Sequence, residues 1–257
     1  FLSYKEAMEL SFFGAKVIYF PTLQPLIEDN IPVYIKNTFD PKANGTCISN
    51  STKLDDDEIV KGISHIENIS ILNFEGSGMV GVPGFSKRFF ESLSIHHINV
   101  VMITQASSEF SICIAIDSDD ASNAKKVIDK EFEFEISQKR INESQIETGL
   151  SNIAIVGDKM KSKKGISGKL FNALGQNNIN IRAIAQGASE RNISIIIDEK
   201  NTKKALNALH ETFFEDNLKD IHLFITGVGN VGGFLINQIK NQKNFIAKNL
   251  KLNLKVI

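Results

Sequence analysis

Four amide side chains recur at one address in this chain. Asn99 and Gln105 in NVVMITQASSE (99–109) match Asn180 and Gln186 in NIRAIAQGASE (180–190), each pair 81 residues apart. In both copies Asn follows a helix-to-strand joint, Gln ends an apolar strand six residues on, and a Ser-Glu pair closes the segment. A carboxamide offers a carbonyl acceptor and N–H donors where a pure core position would carry Val or Ile. The plainer reading is that each Gln satisfies a backbone group at a module interface. Repetition favours binding: side-chain carbonyls for the ammonium of a small zwitterion, and the N–H groups of the glycine-containing loops before Phe85 and Ile166 for its carboxylate. A second chemistry is spelled by Gly227, Gly229 and Gly232, a G-x-G-x-x-G between an apolar strand and a helix. That pattern gives a tight turn, close backbone approach to a pyrophosphate, and a helix N-terminus that attracts anions.

The elements that position the amides repeat with them. The 81-residue offset also aligns Gly76 with Gly157, Met79 with Met160, Gly84 with Gly165, Phe90 with Phe171, Leu93 with Leu174, Ile98 with Ile179 and Asp117 with Asp198, without a gap. This is a tandem copy of a whole supersecondary unit. Each copy reads as βαββα: in the first, strands at 69–74, 99–105 and 110–116 and helices around Phe85–Leu93 and Ala121–Lys130; in the second, strands at 153–156, 181–186 and 193–197 with their helices. Glu131–Ile136 (EFEFEI) alternates and is expected to add a strand. The second copy lacks an obvious fourth strand, and VYIKNTF (33–39) is the expected donor. The expected fold is α/β (α+β): two ferredoxin-like βαββαβ modules, the second completed by an N-terminal strand, followed by the opening β-α-β of a nucleotide-binding domain.

Composition excludes several classes. Of 257 residues, 42% are apolar and 23% charged, with a formal net charge of −1, so a sizeable core is expected and a basic field for nucleic acid is not. Cys47 and Cys113 cannot build a disulfide framework, which fits a reducing, cytoplasmic setting. No apolar run approaches the roughly 20 residues that span a bilayer. His65, His96, His97, His210 and His222 lack metal-ligand spacing, and Asp55, Asp56, Asp57 and Glu58 read as a solvated turn, so no metal is expected. No Ser-His-Asp or Cys-His arrangement can be argued. The chain begins at Phe1 and ends in an apolar run, LNLKVI, and is expected to be a piece of a longer protein.

YKEAMELSFFGAK, IPVYIKNTFDPKANGT, VVMITQASSEFSI, KKGISGKLFNAL, NINIRAIAQGASERNISI and FITGVGNVGG together resemble the middle of the bifunctional aspartokinase/homoserine dehydrogenase family. The resemblance implies four regions: 1–50, the end of the aspartokinase catalytic domain and a joining strand; 62–147 and 150–216, two ACT regulatory domains; and 220–257, the start of a homoserine dehydrogenase Rossmann domain. It implies a parent that uses ATP to phosphorylate aspartate and NAD(P) to interconvert aspartate semialdehyde and homoserine. It makes Asn99, Gln105, Asn180 and Gln186 contacts for an amino-acid effector, threonine in the bifunctional enzymes, Lys16 an ATP contact, and Gly227, Gly229 and Gly232 cofactor contacts. Self-association through the ACT modules, as dimer or tetramer, is implied too. The catalytic residues of neither reaction are expected here. The alternatives are a lysine-sensitive aspartokinase and an ACT scaffold that binds nothing; NAD and NADP stay undistinguished, because the deciding residue is expected beyond Ile257.

Overall fold

The computed structural model describes residues 1–16, 18–50, 59–79, 82–105, 111–187, 191–215, 219–247 and 252–256. Its contacts divide the chain into two units, Phe1–Leu209 and His210–Ile257. The first unit opens with β1 (Leu2–Ser3), α1 (Tyr4–Phe12), α2 (Phe20–Glu28), β2 (Val33–Ile35) and β3 (Thr46–Ser49). These strands form a small sheet of order β1-β3-β2, with Tyr4, Ala7, Leu23 and Ile48 in its core. Ser3 caps α1 through a reciprocal capping box with Glu6, which satisfies two backbone donors at once.

The tandem modules follow: β4 (Gly62–Glu75), α3 (Phe85–Ile95), β5 (Val100–Gln105), β6 (Ser111–Asp117), α4 (Ser118–Glu131) and α5 (Glu133–Ser137), then β7 (Gln145–Val156), α6 (Ile166–Gln176), β8 (Ile181–Ala185), β9 (Asn192–Asp198) and α7 (Thr202–Phe214). Their strands make one antiparallel sheet of order β5-β6-β4-β7-β9-β8. β4 and β7 each serve both modules. Ile69–Glu75 of β4 pairs with β6 as the first strand of module one, while Gly62–Ile66 pairs with Asn152–Val156 as the fourth strand of module two. β7 reciprocates, giving Gln145–Leu150 to module one and its remainder to module two.

Two expectations are corrected here. The fourth strand of module two comes from the start of β4; Val33–Ile35 of VYIKNTF pairs with β3 instead. EFEFEI is helical, not extended. Phe132 is fully buried beside Phe74 and Phe85, at ring separations of 4.8 and 4.7 Å, whereas Phe134 is exposed. Arg88 of α3 holds the conformation by pairing with Glu131 at 2.8 Å and Glu135 at 2.5 Å while its guanidinium lies over the Phe132 ring. Glu131 and Glu135 can share one arginine because residues four apart meet on a helix, and would diverge along a strand.

The exchange bends the sheet. Asn68 in β4 and Gly149 in β7, again 81 apart, both have positive φ (59° and 74°), and each sits in a shift of the β4–β7 register. Such bulges add one residue to a strand and sharpen its twist. Met102 of β5 and Ala183 of β8, on opposite edges, therefore share one apolar cluster with Ile69, Ile71, Ala115, Leu150 and Ile196. A flat six-stranded sheet would hold those edges about 24 Å apart. The opposite face of module one packs Leu72, Phe74 and Ile114 of the sheet against Phe89 and Leu93 of α3 and Ile128 of α4.

The second unit contains β10 (Lys219–Leu223), α8 (Asn230–Phe245) and β11 (Leu252–Val256), with β10 and β11 parallel. A parallel pair joined through a helix is a βαβ unit.

Gly157 is pressed against the chain entering β4, and an added Cβ would run into the Ile59 carbonyl; an added Cβ at Gly168 meets nothing. Gly157→Ala is therefore expected to cost about 1–3 kcal/mol, and Gly168→Ala, inside α6, to gain roughly 0.5–1 kcal/mol, both read from urea unfolding. A pH dependence follows from Arg88, whose hydrogen bond holds the Glu135 carboxyl below its ordinary value of 4.5 against the opposing effect of burial. A depressed folded pKa gives stability that is present above the unfolded carboxylate range and lost as pH falls through the folded pKa. Glu135→Gln should thus lower the urea midpoint at pH 7, and the difference should close on acidification below about pH 4.

Candidate functional site

Two copies of one loop carry the amide sites. After β4, the chain passes through a short 3-10 turn (Ser77–Met79) and enters α3 at Gly84, whose φ of 88° is left-handed. After β7, a matching turn (Met160–Ser162) enters α6 at Gly165, with φ 90°. Glycine takes this conformation without strain, which explains its presence at both helix entries. Neither helix start has a side-chain cap, and the first intrahelical bonds are those of Arg88 to Gly84 and Lys169 to Gly165. The N–H groups of the preceding first-turn residues thus lack intrahelical partners, and they stand at the positive end of the helix dipole.

Gln105, the exposed last residue of β5, reaches this feature in module one. It lines a cleft of about 400 Å³ with Met79, Val82, Phe85, Ser86 and Lys87. The cleft combines a donor-rich helix start, an apolar wall and one amide, a set suited to the carboxylate, side chain and ammonium of an amino acid. Gln186 is exposed just past the end of β8, at the matching position of module two, with Met160 and Gly165 in place of Met79 and Gly84.

Asn99 is not brought to Gln105 within its module. Six steps of extended chain separate them, roughly 20 Å, and Asn99 lines another hollow of about 410 Å³ with Phe90, His97 and Val100. Asn180 holds the equivalent exposed place before β8. His97 and Asn178, with φ 56° and 53°, make the same chain reversal ahead of each Asn. Ser108-Glu109, Ser189-Glu190 and Asp55–Glu58 lie outside the described residues. Among the described residues no cluster of His, Cys, Asp or Glu could hold a metal ion, and no helix is long and apolar enough to cross a membrane. Cys113 lies half-buried in β6, where burial and then the Glu147 charge push its thiol pKa up, away from the reactive thiolate.

Lys16 is exposed in the turn after α1, and Gly14 before it, with φ 100°, lies where an added Cβ would strike the His65 carbonyl. In the second unit Gly227 has φ 92°, Gly229 caps α8 without a side chain, and an added Cβ at Gly232 would strike the Gly227 carbonyl. The turn thus fits a pyrophosphate: it is open at its backbone, and its first-turn N–H groups lack side-chain caps. No sequence signal pointed to Lys87 in the cleft or to Glu6, a buried carboxylate of α1 bound to the module-two loop.

The ACT domain family matches residues 72–132 and 153–213, one copy per module. Bifunctional aspartokinase/homoserine dehydrogenase of Haemophilus influenzae is 44% identical over 247 residues, which cover 96% of this chain and 30% of that protein. The chain therefore spans under a third of the length of that relative. Among solved structures, aspartate kinase of Clostridium acetobutylicum superposes with a TM-score of 0.74 at 27% identity, over 82% of this chain and 48% of that one. Escherichia coli aspartokinase III in complex with lysine and aspartate, a T-state structure, gives 0.65 at 27% identity, over 83% and 46%.

The glycine turn of the second unit yields a paired test. Gly232→Ala is expected to loosen the β10–α8 turn and speed its limited proteolysis, whereas Gly233→Ala, whose Cβ meets nothing, should leave cleavage unchanged. Two matched ACT repeats, the identity along nearly the whole chain and the aspartate kinase superpositions agree: the chain belongs to the bifunctional aspartokinase/homoserine dehydrogenase family, as the segment that carries its tandem ACT regulatory region.

Proposed function

We propose that this region binds an amino-acid effector, threonine, at the two clefts marked by Gln105 and Gln186, and that it imposes feedback on the enzyme it belongs to. The observation that carries the reading is the cleft of Gln105, with an uncapped helix start on one side and a lone amide on the other, built from a loop that the chain repeats 81 residues later. The donors of Phe85–Lys87 receive the effector carboxylate, the Gln105 carbonyl accepts from its ammonium, and Met79 and Val82 meet its side chain. Asn99 and Asn180 act at the far ends of β5 and β8, in self-association or at a neighbouring copy's cleft. Exposed edge strands give self-association a physical basis.

The parent enzyme on this reading phosphorylates aspartate with ATP and interconverts aspartate semialdehyde and homoserine with NAD(P). Lys16 serves the nucleotide of the first reaction, and the Gly227, Gly229 and Gly232 turn holds the dinucleotide pyrophosphate of the second. Effector binding shifts a two-state equilibrium by a coupling of about 1–3 kcal/mol. A second effector, lysine, is favoured by one observation, the similarity to an aspartokinase III structure that holds lysine and aspartate.

Calorimetry decides between them. Threonine is expected to bind the chain, and Gln105→Ala and Gln186→Ala each to weaken one of two binding events about tenfold or more. Binding of lysine alone would transfer the region to the lysine-sensitive class, and unchanged threonine affinity in both variants would reject the two glutamine sites.

A further inference from the structure

The two modules share a fold, yet among the described residues only module two is bonded through its loop to the N-terminal helix. Glu6 of α1 is 1% exposed, and its carboxylate is fully engaged. One oxygen accepts from the Ser3 N–H at 2.8 Å, closing the capping box, and the other accepts from the Asp158 N–H at 2.8 Å. Asp158 opens the loop between β7 and α6, and its own carboxylate accepts the Ser3 hydroxyl. Arg191, at the start of β9, ion-pairs with Asp158 at 3.2 Å without hydrogen-bond geometry, and its carbonyl accepts from the Gly157 N–H at 2.9 Å. The next residue, Asn192, donates to Glu9 one turn further along α1, at 2.6 Å.

Among the described residues module one shows no counterpart. The residues 81 positions earlier than Asp158, Arg191 and Asn192 are Ser77, Phe110 and Ser111, which offer no such charges. Its loop is tied inside the module instead, by the Gly78 N–H to the Arg140 carbonyl and the Asn142 N–H to the Glu75 carbonyl, both at 2.9 Å. The asymmetry lies where it matters for a ligand. The loop that Glu6 grips at Asp158 ends at Gly165, the uncapped start of α6 and the counterpart of the helix start that meets Gln105 in module one.

We propose that the Ser3–Glu6–Asp158 contact is the coupling device by which occupancy of the second cleft reaches the N-terminal α/β segment, and that the first cleft has no such direct line. The proposal rests on the effector-binding reading for its ligand, and on the contact geometry alone for its route. A carboxylate docked on α6 draws in the loop from its Gly165 end. A loop free at its other end would absorb that shift locally. Here the Asp158 end is held by a buried charge whose remaining bonds belong to the cap of α1, so the shift is passed to the helix start. Charge-assisted bonds of this kind are short and strong, and a buried carboxylate robbed of a donor has no water to replace it.

Amide exchange on the full 257-residue chain tests the route from both sides. Glu6→Gln is expected to speed exchange across 158–165 roughly tenfold, and to leave 76–79 and 82–84 unchanged. Asp158→Asn, which perturbs the half-exposed partner and spares the α1 backbone, is expected to speed exchange at the start of α1 and to leave α3 unchanged. Equal responses in both loops, or no transmission in either direction, would overturn the proposal. Threonine then separates this proposal from the reading beneath it. With threonine bound, exchange in α1 should slow in the wild-type chain and not in Asp158→Asn; binding with no change in α1 would overturn the coupling. Absence of any amino-acid binding in calorimetry would defeat the effector reading, while the reciprocal exchange of the two variants still decides the contact.

Discussion

The structure depends on one reciprocal exchange, in which β4 and β7 each run past the end of their own module to complete the other. A four-stranded ferredoxin-like sheet needs its last strand beside its first. Module one obtains it from Gln145–Leu150 and module two from Gly62–Ile66. The close backbone approaches obey the same symmetry: Gly76 faces Arg140 and Ile141, and Gly157 faces Ile59 and Val60, each set 81 residues from the other. Neither repeat has a complete sheet alone, so their folding is coupled by geometry. The bulges at Asn68 and Gly149 then convert a long sheet into two facing halves, burying Met102 and Ala183 in one cluster.

The proposed effector sites fall at the places this frame leaves open. The helix starts at Gly84 and Gly165 are loop ends rather than packed core, so their donors stay available; Gln105 lines the cleft at the first, and Gln186 holds the matching position just past β8. Duplication makes the two helix-entry loops alike in backbone, but their surroundings differ. Module two lies against the N-terminal segment, where Ser64 donates to the Phe13 carbonyl at 2.7 Å and Asp158 meets Glu6. Identical folds in unequal surroundings are a simple way to give two binding sites different consequences, since each ligand can act only through the contacts its own site makes.

Much of this was legible in the residues. The 81-residue register found both modules, because duplicated packing repeats both its apolar positions and its backbone reversals: Gly84 with Gly165, and Ile98 with Ile179. The helices followed from apolar spacing, as with Phe85, Phe89 and Leu93, all buried. EFEFEI was misleading because alternation at Phe132, Phe134 and Ile136 also contains an i, i+4 pair, and Arg88, forty-three residues earlier than Glu131, decides between the readings. The donor of the missing strand was misassigned for a related reason. The sequence marks this strand only over 69–74, and nothing local says that the five residues Gly62–Ile66 extend it into another module.

The sequence by itself determined the duplication, the element types over most of the chain, the glycines required by left-handed turns, and the amides set at the strand ends. These are properties of short stretches, fixed by periodicity and by backbone sterics. Only the tertiary structure decided which module each half of β4 and β7 completes, that Met102 and Ala183 meet in one cluster, and that Glu6 is bonded to Asp158 across 152 residues of chain. Those outcomes depend on which surfaces meet once all the elements are packed, and a contact between distant residues leaves no periodic trace in the segments that make it.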